Sequence, residues 1–128
     1  MEEGVAALLR IRNYGRLAEE YGESLVFHLS KLFAEGLEDQ LKSREIPVET
    51  VRYRENEYLL LAAGVLQEEM TVLTGELAAA IESRPFRLGR RTLRLGLERA
   101  VVGYARHEPL YLLMDRIEEQ LFRQGRGI

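Results

Sequence analysis

Four arginines are spaced in pairs, Arg10 with Arg12 and Arg52 with Arg54. On a β-strand, residues two apart share a face, so each pair would present two guanidiniums together. Guanidinium forks match phosphate oxygens, and the chemistry such a grouping implies is a metal-independent anion or nucleotide site. The competing expectation is an ion-pair lattice with Glu55, Glu57 and Glu98. A second run, Arg84, Arg87, Arg90, Arg91 and Arg94, is the densest basic stretch; it would suit an acidic protein partner, and the competing expectation is a solvated hairpin of alternating arginines. Phe86 is the single aromatic inside it, so it lacks the stacking platform of a single-strand nucleic-acid binder.

The remaining composition excludes most other chemistry. The chain has 128 residues and no cysteine, which removes disulfides, zinc–thiolate sites and thiol nucleophiles. His28 and His107 are the two histidines. His28 lies beside the apolar stripe of a helix and is expected to be structural, and His107 to sit in an exposed loop. Of 21 acidic residues only Asp39 and Asp115 are Asp. Magnesium-dependent phosphoryl transfer usually holds its ion with close, short carboxylates, so no metal and no cofactor are expected. The net charge of −3 gives no broad footprint for nucleic acid. The longest uncharged apolar run, residues 58–67, is too short for a bilayer span of about 20 residues. The Met-Glu-Glu-Gly start lacks the basic and apolar regions of a signal peptide, and a cytoplasmic location is expected.

The elements that must position these residues follow from periodicity. Residues 5–12 open as a continuous apolar run and end charged, which predicts a central strand buried on both faces. Asn13 is placed to cap a short helix with Tyr14, Leu17 and Tyr21 on one face, closed by Gly22. Leu25, Leu29, Leu32, Phe33, Leu37 and Leu41 predict a long amphipathic helix over 24–42. A loop around Pro47 leads to strands at 48–54 and 57–62, joined through Glu55-Asn56, where Asn tolerates the positive φ of a tight hairpin. Leu66, Met70, Leu73, Leu77 and Ile81 form a second helical stripe that ends before Pro85. A small hairpin over 86–95 turns at Gly89-Arg90, a strand continues over 95–104, and Pro109 opens a last helix with Leu110, Leu113, Ile117 and Leu121 inward. Setting aside the short helix and small hairpin leaves β-α-β-β-α-β plus a final helix. That is an α+β, ferredoxin-like split-βαβ core in one domain over 1–128, with helices on one face of a mainly antiparallel sheet.

The segment Arg52-Tyr-Arg-Glu-Asn-Glu-Tyr-Leu-Leu-Leu-Ala-Ala-Gly64 resembles the central hairpin of GGDEF domains, the diguanylate cyclase family. Arg54, Glu55, Asn56, Glu57 and Tyr58 take the place of the signature. Residues 8–14 and Glu20-Tyr-Gly22 resemble the family's first strand and following helix. Residues 93–102 and 117–123 resemble its late strand and terminal helix. The resemblance covers nearly the whole chain and implies the nucleotidyl-cyclase type of α+β fold.

Active members of that family condense two GTP molecules into cyclic di-GMP across a homodimer, with two divalent ions held by carboxylates. Carried over residue by residue, the resemblance places Arg10 where the metal Asp belongs and Arg12 at the next acidic position. Arg54 and Glu55 stand for the two glycines, and Asn56 for the first signature acid. Glu57 remains acidic, and Tyr58 stands in for Phe. Ala18 and Phe27 fall on the guanine-contacting Asn and Asp, and the phosphate-binding Lys lands near Gly125. No Arg-x-x-Asp product site is present, because Gly36 and Leu112 precede Asp39 and Asp115 by three residues. Like charges 4 Å apart repel by about 4 kcal/mol at an effective dielectric of 20, so Arg10 and Arg12 would oppose magnesium. The resemblance thus implies a domain without cyclase activity, used as a regulatory or protein-interaction module of a bacterial signalling protein in the cyclic di-GMP pathway. Its partner would be another protein or a second copy. The alternative is a metal-independent sensor of GTP or cyclic di-GMP in an arginine-lined remnant pocket (Arg10, Arg12, Arg54, Glu55, Asn56, Glu57, Tyr58).

Overall fold

The apolar run at the start of the chain is buried on both faces. In the computed structural model, which describes residues 3–44 and 48–126, it forms strand β1 (Glu3–Ile11) between two antiparallel neighbours. Helices α1 (Tyr14–Tyr21) and α2 (Glu23–Arg44) follow, then strands β2 (Glu49–Arg54) and β3 (Glu57–Ala63). Helix α3 (Gln67–Glu82) leads to the small hairpin β4 (Pro85–Leu88) and β5 (Arg91–Arg94). Strand β6 (Leu97–Ala105) and helix α4 (Leu110–Arg126) complete the order. The main sheet runs β2-β3-β1-β6 and is antiparallel at every pairing; β4 and β5 pair separately. The expected ferredoxin-like core is present. The loop expected around Pro47 falls largely outside the described residues.

Side-chain alternation along β1 divides the core in two. Val5, Ala7, Leu9 and Ile11 pack with Leu29, Phe33 and Leu37 of α2 and with Met70, Leu77 and Ile81 of α3. Ala6 and Leu8 face the other way, against Leu113, Met114, Ile117 and Leu121 of α4. Helices therefore cover both faces of the sheet, where the element order alone predicts one. The reason lies in β1 and β6, whose second faces are also apolar and need a cover.

Other departures are local. Asn13 precedes α1 in the left-handed region (φ 59°) with no capping bond from its side chain, so it supplies a backbone turn in place of a cap. Val26 is buried where Leu25 was expected, and Leu66 and Leu110 stay exposed at the starts of α3 and α4. His28 is exposed, not part of the core. His107 is exposed as expected and adopts a positive φ of 69°. The Glu55-Asn56 turn does form, but Asn56 has no positive φ. A register shift between Arg52 and Arg54 accompanies the turn instead.

Candidate functional site

That irregularity decides where the arginines go. Arg52 pairs across the strands with Tyr58, while Arg54 pairs with Glu57. Tyr58 belongs to the core on the α2 and α3 side, and its hydroxyl donates to Glu38 Oε1 at 2.6 Å. Glu57 lies directly across from Arg10, on the α4 side. The extra residue breaks the period-two rule, so Arg52 and Arg54 do not share a face. Arg52 donates to Ser30 Oγ on α2 at 2.8 Å. Arg12, just past the end of β1, donates to the Leu97 carbonyl at 3.3 Å. The expected convergence of four guanidiniums does not occur: only Arg10 and Arg54 meet at Glu57.

Arg10 is the hub of a charged knot at the end of β1. Its strand neighbours on either side are Glu57 and Glu98, and α4 brings Glu118 over the same face, one residue beyond the buried Ile117. Arg10 Nε lies 3.3 Å from Glu98 Oε1, and Nη1 lies 3.1 Å from Glu118 Oε1 and 3.8 Å from Glu57 Oε1. Arg54 Nε approaches that same Glu57 oxygen to 3.9 Å. The Glu57 side chain is 4% exposed, and its Oε2 is buried with no hydrogen-bond partner. Burial pushes the Glu57 carboxyl above the usual carboxylate range, opposed chiefly by Arg10 and reinforced by Glu118. Burial alone would lower Arg10, but the surrounding carboxylates, Glu118 first, raise it overall. The cluster thus keeps Arg10 charged and places its strain on Glu57.

A divalent ion does not fit this arrangement. The accessible Glu57 oxygen already faces two guanidiniums, and a cation there would meet them at contact distance. Among the described residues no group of three His, Cys, Asp or Glu side chains is arranged to hold a metal.

The other side of the hairpin tip borders a cleft of about 610 Å³, which takes in Glu55 but none of the other six residues expected in the remnant pocket. Its walls are Tyr14, Gly15 and Ala18 of α1, Glu23, Ser24, Val26 and Phe27 of α2, and Glu55 at the tip. Glu55 accepts a hydrogen bond from the Tyr14 hydroxyl (2.9 Å). Burial and this bond raise the Tyr14 pKa. Ala18 and Phe27, the positions that the resemblance gives to guanine contacts, are both in its wall. Asn56 lies apart from it, its carbonyl accepting from the Ile11 N–H at 2.9 Å and so tying the tip to the end of β1.

The arginine-rich hairpin is where β4 and β5 turn at Gly89, in a positive-φ conformation. Phe86 and Leu88 anchor it in the core and leave the arginines exposed. Arg84 lies over the Phe86 ring, Arg91 over Tyr21 and 3.9 Å from Glu20, and Arg94 donates to the Ser83 carbonyl. Among the described residues Arg87 and Arg90 have no side-chain partner.

No protein-family model and no curated protein matches this sequence. Solved structures do match. The GGDEF domain of FimX from Pseudomonas aeruginosa superposes with a TM-score of 0.81 at 18% identity, covering 99% of this chain and 77% of that one. The fold is that of a GGDEF domain. The diguanylate cyclase SiaD of Pseudomonas aeruginosa, solved in complex with its activator SiaC, gives 0.84 at 16% identity. That match covers 98% of this chain and 47% of SiaD, so the chain spans about half of that protein. The active GGEEF domain of a diguanylate cyclase from Vibrio cholerae gives 0.79 at 12% identity, covering 98% and 78%. No helix among the described residues is long and apolar enough to cross a membrane.

Proposed function

We propose that this chain is a non-catalytic GGDEF-like regulatory domain of a bacterial cytoplasmic signalling protein, acting through protein contacts. The observation that carries the reading is Arg10, fixed among Glu57, Glu98 and Glu118 at the strand end where the resemblance locates a metal carboxylate. Two-metal transfer needs anionic ligands there to neutralise the charge that develops on phosphate. A guanidinium at this position donates no electron pair to a metal, and it occupies the space between Glu98 and Glu118 that a ligand-bound ion would need.

The arginine hairpin is the surface this reading assigns to a partner. Arg87 and Arg90, without side-chain partners among the described residues, project from a two-stranded hairpin, and a desolvating acidic surface would complete them. SiaD, of which 47% is matched by this chain, has been solved in complex with an activator protein, which supports a partner protein for a chain that contains this fold.

The test is incubation of the purified protein with GTP and magnesium or manganese, with nucleotides separated chromatographically. No cyclic di-GMP is expected, and steady formation of it would overturn the proposal. Light scattering at low and high salt addresses the surface: any self-association should weaken with salt and with Arg87→Glu/Arg90→Glu.

A further inference from the structure

The cleft beside α1 has the wrong charge for a phosphate ligand. Of its eight lining residues, Glu23 and Glu55 are acidic and none is basic. The N-terminus of α2 adds about half a positive charge, and Glu23 in its first turn offsets it. Arg52, whose charge reaches Tyr14, is held by Ser30 Oγ at 2.8 Å. A nucleoside triphosphate would meet two carboxylates with no cation in the wall.

The same wall is built for a cation. The Tyr14 hydroxyl holds Glu55 through Oε2, which fixes the carboxylate and leaves Oε1 without a partner among the described residues. Phe27, 42% exposed, lines the cleft and already carries an ammonium: Lys31 Nζ lies 4.8 Å from the ring centroid. That contact shows the ring in cation–π geometry inside this molecule. Ala18, half-buried, adds apolar surface to the same wall, and Val26 lines it from the core. A volume of about 610 Å³ falls within the range of small-molecule sites.

We propose that this cleft binds a small organic cation, a guanidinium or primary ammonium on a short apolar chain. The cationic group pairs with Glu55 and Glu23, and the chain lies along Phe27 and Ala18. Lys31 competes for the aromatic face and sets a threshold that a ligand must exceed. The cleft contains Ala18 and Phe27, the positions that the resemblance gives to guanine contacts, so the inference rests on the reading that this domain is not a cyclase and puts a cation where that family holds its base.

The experiment is an amide-shift titration of the full chain with agmatine, with N-acetyl-arginine methylamide, with metal-free GTP and with 1-butanol. Saturable shifts clustered at residues 14–18, 23–27 and 55 are expected for agmatine or the arginine amide. The preferred one of the two tells a free amine from a peptide side chain. Glu55→Gln should weaken binding by about threefold to tenfold, as for loss of a charged hydrogen bond near solvent. Phe27→Ala should weaken it as well, and Lys31→Ala should tighten it. The shifts should also diminish at high salt. The proposal fails if neither cation gives saturable shifts, if GTP binds more tightly than both, if 1-butanol shifts the same amides equally, or if Glu55→Gln changes nothing. Because the substituted side chains are exposed, unchanged spectra elsewhere report that the variants remain folded.

Discussion

Glu55 and Glu57 stand two residues apart at one hairpin tip and meet opposite fates. Glu57 turns inward and is walled in by Arg10 and Arg54, with Glu98 and Glu118 completing the charge around Arg10. Glu55 turns outward, held among the described residues by the Tyr14 hydroxyl alone, in the wall of an open cleft. The difference shows how the environment sets what a carboxylate can do. An inward carboxylate beside fixed cations is a structural partner, whereas an outward one with a spare oxygen is available to a ligand. The register shift before Glu57 produces the contrast by putting Arg54 with Glu57 and leaving Arg52 to Ser30.

The contrast can be broken at several depths. The largest expected loss comes from Ile117→Ala, which removes a fully buried side chain of α4, the helix that carries Glu118 to the knot. A cost of about 2–5 kcal/mol is expected in urea unfolding, as for comparable core truncations. The cleft, built without α4, should keep its ligand response. Arg10→Ala comes next: it leaves Glu57 buried without its main counter-charge, and about 2–4 kcal/mol is expected, since part of the cluster reaches solvent. An effect below about 1 kcal/mol, the usual range of exposed pairs, would show that the knot is a surface lattice.

Glu57→Gln probes the same knot through pH. The folded protein raises the Glu57 pKa, so between the unfolded and folded values the native state binds the extra proton. Its stabilising contribution is complete below the unfolded pKa and falls as pH rises through the folded one. Glutamine has no such loss, so the variant should gain stability relative to the parent on going from pH 4 to pH 8. A difference that is flat with pH would remove the assigned strain. The smallest effect belongs to the open side: Phe27→Ala should change stability by no more than about 0.5 kcal/mol, as for exposed positions away from special features.

Much of this fold is legible in the sequence because its periods are clean. The two-faced run at 5–9, the stripe Leu29, Phe33, Leu37 and Leu41, and the stripe from Met70 to Ile81 each specify an element and its inward face. The placement of α4 on the second face was less legible. Its stripe of Leu113, Ile117 and Leu121 shows amphipathicity without saying which surface it meets. The site was harder still. Arg10 and Glu57 could be singled out from their chemistry, but the mates of Arg10 come from residues about 47, 88 and 108 positions away. An alternating pattern cannot show a bulge, so it put Arg52 and Arg54 on one face. The cleft carried two usable signs: Ala18 and Phe27 fall on the guanine-contacting positions of the resemblance, and Phe27 stands four residues before Lys31 on a helix, where an aromatic and a cation are neighbours.

The central claim is that Arg10 closes the strand end to a divalent ion. A magnesium titration of the full chain, followed by amide shifts, addresses it most directly. Residues 9–11 and 56–58 should not respond at millimolar magnesium, with or without GTP. Saturable, magnesium-dependent shifts at those residues, with the response abolished by Glu57→Gln, would contradict it.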